Sequence, residues 1–335
     1  LWTADSLIGV VTALTVRTTV TNGLSESGAR YYHLKVNEMP VLPTLGFGCG
    51  TNGRSALYTN QIVCWGDLHS HTTYSYDAFS NENCYLTPSD AVRSCTGILD
   101  FVSVTDHAEN NMPGYYTQQK WDDTRTQELA FASINSNLVI FPGFEYTKTV
   151  TQIQPITGSG HKHIICYDWD HTPARGYGQD VYNDPIDLWA YLDGTPAAGH
   201  YLCIDHHPAK GWDIDNPIID MSTDWAPEYV RQDIMPVVEM YSRHGSSEMP
   251  GCEEPVNGFV TNAAVNRTLD RWLLPEHNVD YKLGLIGSTD THLGKPGDVR
   301  EEADNVSPRL GPYTGGLAAT WVTNKTRRTI WDALK

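Results

Sequence analysis

Short apolar, β-branched runs recur along the chain from residue 61 onward, and each carries polar residues of metal-ligand type at one end. Residues 62–65 lead to Asp67, His69 and His71, residues 99–104 to Asp106 and His107, and residues 138–144 to Glu145. Residues 201–204 lead to Asp205, His206 and His207, residues 236–238 to Glu239, and residues 283–287 to Asp290 and His292. The run at 163–167 has His161 and His163 at its start. Between these runs the pattern predicts helices at 87–92, opened by the cap-plus-proline signal Thr87-Pro88, and at 121–134, 185–192 and 260–274.

Apolar strands alternating with helices predict parallel pairing, with helices on the outer face. The fold expected over residues 61–335 is therefore α/β, a parallel β/α barrel that brings its strand ends to one rim. A doubly wound open sheet is the alternative, and it gathers fewer strand ends at one point. Residues 1–60 read as a β-rich extension, with a strand pattern at 7–20, a hairpin turn at Asn22-Gly23 and a return strand at 31–36.

Composition narrows the function. The chain has 335 residues, 40% of them hydrophobic, enough for one barrel-sized core or two ordinary domains. A net charge of −17 without a basic stripe disfavours nucleic acid or an anionic membrane as main partner and suits a protein that gathers cations. No apolar run approaches a membrane span. Seven cysteines form no CxxC pair, which argues against a zinc ribbon. Cys84 and Cys95 can bridge, while Cys166 and Cys203 are expected as buried thiols. The first residue is Leu1 rather than Met, which suggests a processed start and a secreted or periplasmic protein. On that reading the sequons at Asn266, Asn305 and Asn324 carry sugar only in a eukaryotic secretory route.

Strand alternation points His69 and His71 to the same side, with Asp77 close behind. Repeated at nearly every strand end, such residues imply a site for two or three divalent ions. Nitrogen and oxygen ligands without thiolates suit Zn, Mn or Fe. Two such ions can share a hydroxide, moving the pKa of water from about 15.7 towards about 7.

Five segments resemble motifs of the PHP (polymerase and histidinol phosphatase) superfamily: G-D-L-H-S-H-T with Asp77, V-T-D-H-A-E, P-G-F-E-Y, D-H-H-P and G-S-T-D-T-H. Members are metal-dependent phosphoesterases on a distorted seven-stranded β/α barrel. G-S-T-D-T-H-L-G-K-P-G, V-E-M-Y-S-R-H-G-S-S-E and G-G-L-A-A-T-W-V-T are similar to signatures of an exported branch, domain of unknown function 3604. That branch runs on past the point matching Lys335, which implies a further C-terminal piece. Residues 1–60 fall outside the resemblance.

Carried over by motif, the resemblance implies His69, His71, Glu145 and Asp290 around one metal pair, with Glu145 bridging. Asp77, His107, His207 and His292 would complete the outer positions. His161 and His163 both align with the fourth motif, and His207 is preferred to His206 because it precedes Pro208. Asp106 reads either as a carboxylate fixing a ligand imidazole or as a strand-end cap. Arg243 and His244 are expected to meet phosphate, Glu239 to ligate metal or orient Arg243, and Lys210 and Lys295 to be solvated surface lysines. The activity implied is hydrolysis of a small phosphomonoester or phosphodiester. The alternatives are hydrolysis of another ester, an amide or a lactone, and a metal-binding barrel without turnover.

Overall fold

The computed structural model describes residues 60–108, 116–147, 160–174, 185–211, 221–271, 282–299 and 314–335, and the backbone of Leu14–Thr21 and Glu26–Leu34. The chain divides into two compact units, Leu1–Val63 with Trp321–Lys325 and Cys64–Thr320 with Thr326–Lys335. In the first, β1 (Leu14–Thr21) and β2 (Glu26–Leu34) form an antiparallel hairpin in which Leu14 faces Leu34. The expected turn residues Asn22-Gly23, and residues 7–13 and 35–36, lie outside the described residues.

Every apolar run read from residue 61 onward contributes a strand. One sheet has the order β12-β3-β4-β5, built from β3 (Ile62–Asp67), β4 (Phe101–Val102), β5 (Val139–Ile140) and β12 (Ala318–Val322). Its β3–β4 and β4–β5 ladders are parallel. Gly66 is required there, since a Cβ would overlap the Phe101 ring on the neighbouring strand. The second sheet has the order β10-β9-β8-β7-β6, with β11 beside β9. Its strands are β6 (Gly143–Thr147), β7 (His161–Cys166), β8 (Tyr201–His206), β9 (Val237–Ser242), β10 (Gly245–Ser246) and β11 (Gly284–Gly287). β8, β9 and β11 run parallel, but β7 is antiparallel to both β6 and β8.

The expected α/β class holds, whereas the all-parallel seven-stranded barrel does not. Among the described residues neither sheet closes on itself. The physical reason is the direction of β7. A strand that runs against its neighbours delivers its first residues to the rim where theirs deliver their last. His161 and His163 stand at the start of β7 and so reach the same rim as Glu145 and His206. Two single bridges, Ser70 with Thr291 and His107 with Glu145, tie the sheets together at that rim.

The helices are α1 (Tyr76–Glu82), α2 (Pro88–Ser94), α3 (Gln118–Ile134), α4 (Pro185–Asp193), α5 (Val265–Arg271) and α6 (Arg327–Leu334). The Thr87 side chain caps α2 and exchanges hydrogen bonds with Asp90, as its sequence predicts. α3 begins earlier than its apolar pattern suggests because Thr117 caps it. α5 begins later than expected, after a tight turn at Thr261–Ala263, and residues 272–274 lie outside the described residues. Trp121, Trp169, Trp189, Leu192, Tyr201 and Trp225 fill one core cluster, and α2 and α3 cover a second with Val92, Val102, Phe131 and Ile140.

The Cys84–Cys95 bridge does not form, and both are free thiols. Cys95 instead packs in the second cluster and donates to the Val92 carbonyl at 3.4 Å. Cys166 and Cys203 are buried free thiols, as expected. No described helix is long and apolar enough to cross a membrane.

One buried carboxyl stands apart from the rim. Glu128 is 1% exposed and accepts the Trp169 indole N–H at 3.0 Å. Burial raises its pKa to about 8, against the lowering effects of that hydrogen bond and Arg327. A folded-state pKa above the unfolded value means stability is full below about pH 4.5 and is lost as pH rises through about 8. Glu128→Gln keeps the neutral form, so we expect it to gain on the order of 2 kcal/mol over the parent at pH 9 and little at pH 5. Denaturant unfolding at the two pH values checks this, and an equal effect at both would contradict it.

Candidate metal centre

Strand register assembles the site. Glu145 faces His163 across the β6–β7 ladder, and His161 faces His206 across β7–β8. Because side chains alternate, all four lie on one sheet face, while Lys162 and Asp205 pair on the other. His69, His71 and Asp290 arrive from the chain just beyond β3 and β11. Those two segments are interlaced: His71 N–H donates to the Thr291 carbonyl at 2.8 Å, and Asp290 N–H to the His69 carbonyl at 3.0 Å.

The donor atoms converge. His69 Nε2 lies 2.9 Å from Asp290 Oδ1, 3.1 Å from His71 Nε2 and 3.6 Å from Glu145 Oε2. His71 Nε2 lies 3.3 Å from Glu145 Oε2 and 3.4 Å from Asp290 Oδ1. Four ligands at about 2.1 Å around one tetrahedral ion would stand about 3.4 Å apart. The spacing therefore fits donor atoms gathered around an ion. The other oxygen of Glu145 faces a second group, with Oε1 2.6 Å from His161 Nδ1 and 3.0 Å from His206 Nε2. A third group meets at Asp77, whose Oδ2 lies 3.2 Å from His107 Nε2 and 3.4 Å from His292 Nε2.

Several of these atoms are buried without a hydrogen-bond partner: Glu145 Oε2, Asp290 Oδ1, both ring nitrogens of His163, and Nδ1 of His206 and of His207. Buried polar groups rarely stay unsatisfied, so the donor set fits cations that take up these lone pairs. The sets with ligand atoms close enough to hold an ion include His69–His71–Asp290, His71–Asp77–His107–His292, His161–His206–His207, His69–Glu145–His163–His206 and His207–His244–Asp290. A small cavity of about 90 Å³ opens onto most of them.

Neighbouring residues fix the imidazoles. Glu239 Oε2 accepts the His69 Nδ1 proton at 2.9 Å, which leaves Nε2 for the shared centre. His71 Nδ1 and Ser75 Oγ share a hydrogen bond of 2.8 Å, and Ser75 Oγ also accepts the His107 N–H. Two residues of the site hold left-handed backbone, His207 at φ 35° and Asp290 at φ 53°. Such conformations cost on the order of 1–3 kcal/mol in residues with a Cβ and tend to cluster at functional sites.

The structure gathers His69, His71, Asp77, His107, Glu145, His161, His163, His207, Asp290 and His292 at this one rim. It also brings in His206, the histidine passed over for its neighbour. Its register opposite His161 is the signal that could have found it. Of its two readings Asp106 takes the capping one: its carboxylate accepts the Thr72 N–H at 2.6 Å and hydroxyl at 2.7 Å rather than holding an imidazole. Glu239 holds an imidazole instead of orienting Arg243. His244 lines the cavity with Nε2 3.0 Å from Asp290 Oδ2, whereas Arg243 is buried outside the cavity wall. Lys295 is exposed as expected, but Lys210 is buried and lines the cavity, contrary to the surface reading.

Residues 58–139 match the family model "Protein of unknown function (DUF3604)", a stretch that holds His69, His71, Asp77 and His107 and ends before Glu145. The chain is similar in structure to a two-domain protein from Bacteroides vulgatus that contains a predicted PHP-like metal-dependent phosphoesterase. That similarity has a TM-score of 0.46 at 18% identity, and it covers 82% of this chain and 63% of the other. The chain thus spans 63% of the length of that structure. No curated protein matches the chain.

Charge at the centre sets how ions would load. Burial opposes a charge on His71, but contacts with Asp290 and Glu145 outweigh it and lift the pKa to about 9. His69 is raised as well, burial being overcome by Asp290 and Glu239. His71 therefore carries an extra proton at pH 7.5 when no ion is bound, and a ligating Nε2 must lose it. We expect metal loading at pH 7.5 to release about one proton or more. Calorimetry in buffers of different ionisation enthalpy reads this number, and a heat independent of buffer would contradict it.

Proposed function

We propose that this chain is a metal-dependent hydrolase of small phosphate esters. The observation that carries the reading is Glu145, whose two carboxylate oxygens each face a different cluster of imidazoles. A carboxylate so placed suits two ions a few ångströms apart, a spacing common to enzymes of phosphoryl transfer. The motif resemblance across residues 61–335 supports the same class.

His69, His71, Glu145 and Asp290 would hold one ion, and Glu145, His161, His206 and His207 a second. Asp77, His107 and His292 form the candidate third position, beside His71. When bound, such ions acidify water and offset charge on phosphoryl oxygens. The chain's own residues do the rest. Glu239 and Ser75 keep Nε2 of His69 and His71 pointed inward. Asp106 secures the backbone at Thr72, directly after His71.

We expect Mn- or Zn-loaded protein to hydrolyse aryl phosphates, and His69→Ala and Asp290→Ala to cut kcat/KM by about 10³-fold or more. Both variants should bind less metal while their circular dichroism stays that of the parent. A fully loaded protein that cleaves only carboxyl or sulfate esters would replace phosphate as the substrate. Unchanged activity in either variant would remove the assignment.

A further inference from the structure

Two lysines are buried among the described residues, and they differ in what answers their charge. Lys162 in β7 is ion-paired with Asp205, directly opposite on β8 and on the sheet face away from the site. Lys210 is 2% exposed and lines the cavity, yet no described carboxylate forms an ion pair with it. Its Nζ contact is His244 Nδ1, at 3.4 Å. An ammonium has three N–H donors and accepts nothing, so His244 offers Nδ1 as acceptor and carries its proton on Nε2. That Nε2 lies 3.0 Å from Asp290 Oδ2 and leaves Asp290 Oδ1 to the metal ligands.

The ammonium is placed by a well-held turn. Lys210 N–H donates to the His207 carbonyl at 2.8 Å, and Ala209 is tied at its N–H to Ser247 Oγ and at its carbonyl to Val260 N–H. Among the described residues lining the cavity, Lys210 is the one Lys or Arg. A buried cation with donors to spare and no paired carboxylate is a receptor for an anion.

We propose that Lys210 binds a non-bridging oxygen of the phosphoryl group and makes the site selective for phosphomonoesters over phosphodiesters. This rests on the phosphoester reading above and follows from counting oxygens. A monoester has three non-bridging oxygens, so two can face the ions and a third remains for Lys210. A diester has two, and the next position is an ester oxygen, which carries little of the negative charge that an ammonium binds. In the hydrolysis a water oxygen forms the new bond to phosphorus as the ester P–O bond breaks. The leaving oxygen departs as the alcohol with a proton from that water.

The test uses the metal-loaded full chain with p-nitrophenyl phosphate and bis(p-nitrophenyl) phosphate. The parent should prefer the monoester. Lys210→Met should lower monoester kcat/KM by about 30-fold or more, chiefly through KM, and change the diester value by less than about threefold. Bound metal should be unchanged, and Lys210→Arg should recover part of the loss. Calorimetric titration with inorganic phosphate should show binding about tenfold weaker in Lys210→Met. Equal losses on both esters, parent preference for the diester, or unchanged phosphate affinity would overturn the proposal. If Lys210→Met fails to fold, the parent decides alone: inorganic phosphate must bind more tightly than dimethyl phosphate, and the reverse order refutes selectivity. If the loaded protein cleaves no phosphoester, the phosphoester reading and its monoester preference fail. Lys210-dependent phosphate binding would then uphold the lysine as an anion receptor, and Lys210-independent binding would refute it.

Discussion

Asp67 holds the two halves of the rim to a common frame. It is fully buried, and its carboxylate accepts the N–H groups of His69 at 3.2 Å, Thr289 at 3.1 Å and Gly297 at 2.9 Å, along with the Thr289 hydroxyl. One side chain thus anchors the segment carrying His69 and His71 to the segment carrying Asp290 and His292. Each buried donor left unmatched by its loss would cost about 1–3 kcal/mol. The backbone bonds between residues 69–71 and 290–291 extend the same lock. Without it, Nε2 of His69 and Oδ1 of Asp290 would have no reason to meet.

What that frame holds is unfavourable by itself. Burial pushes the pKa values of His163, His206 and His207 well down, while Asp290 and Glu145 are held ionised by the surrounding imidazoles against the effect of burial. Rings stack within this cluster, His163 on His206 at 3.9 Å between centroids, with both His163 nitrogens unsatisfied. Such an arrangement is stable when cations occupy it, because ligand bonds replace the lost hydration. The strain at His207 and Asp290 is consistent with a frame that over-determines its ligands.

Much of this was legible in the sequence, and the exceptions share a cause. Apolar runs ending in His, Asp or Glu located the strands and the rim, since burial and alternation are local properties. Strand direction is not local. The clue lay in His161 and His163 opening their run instead of closing it, which only an antiparallel β7 reconciles with a shared rim. The roles of Glu239 and Asp106 depended on contacts across 170 and 34 positions, and single-chain spacing carries no such information. Lys210 was read as surface because lysine usually is. Its burial follows from a turn pinned by Ser247 and Val260, both distant in sequence.

The central claim is that cations occupy the rim and are shared through Glu145. Anomalous scattering from crystals grown with Zn or Mn tests it most directly. One peak should lie within about 2.3 Å of Nε2 of His69, Nε2 of His71 and Oδ1 of Asp290, and a second beside His161 and His206, with Glu145 between them. Peaks elsewhere, or none from crystals soaked in excess metal, would contradict it.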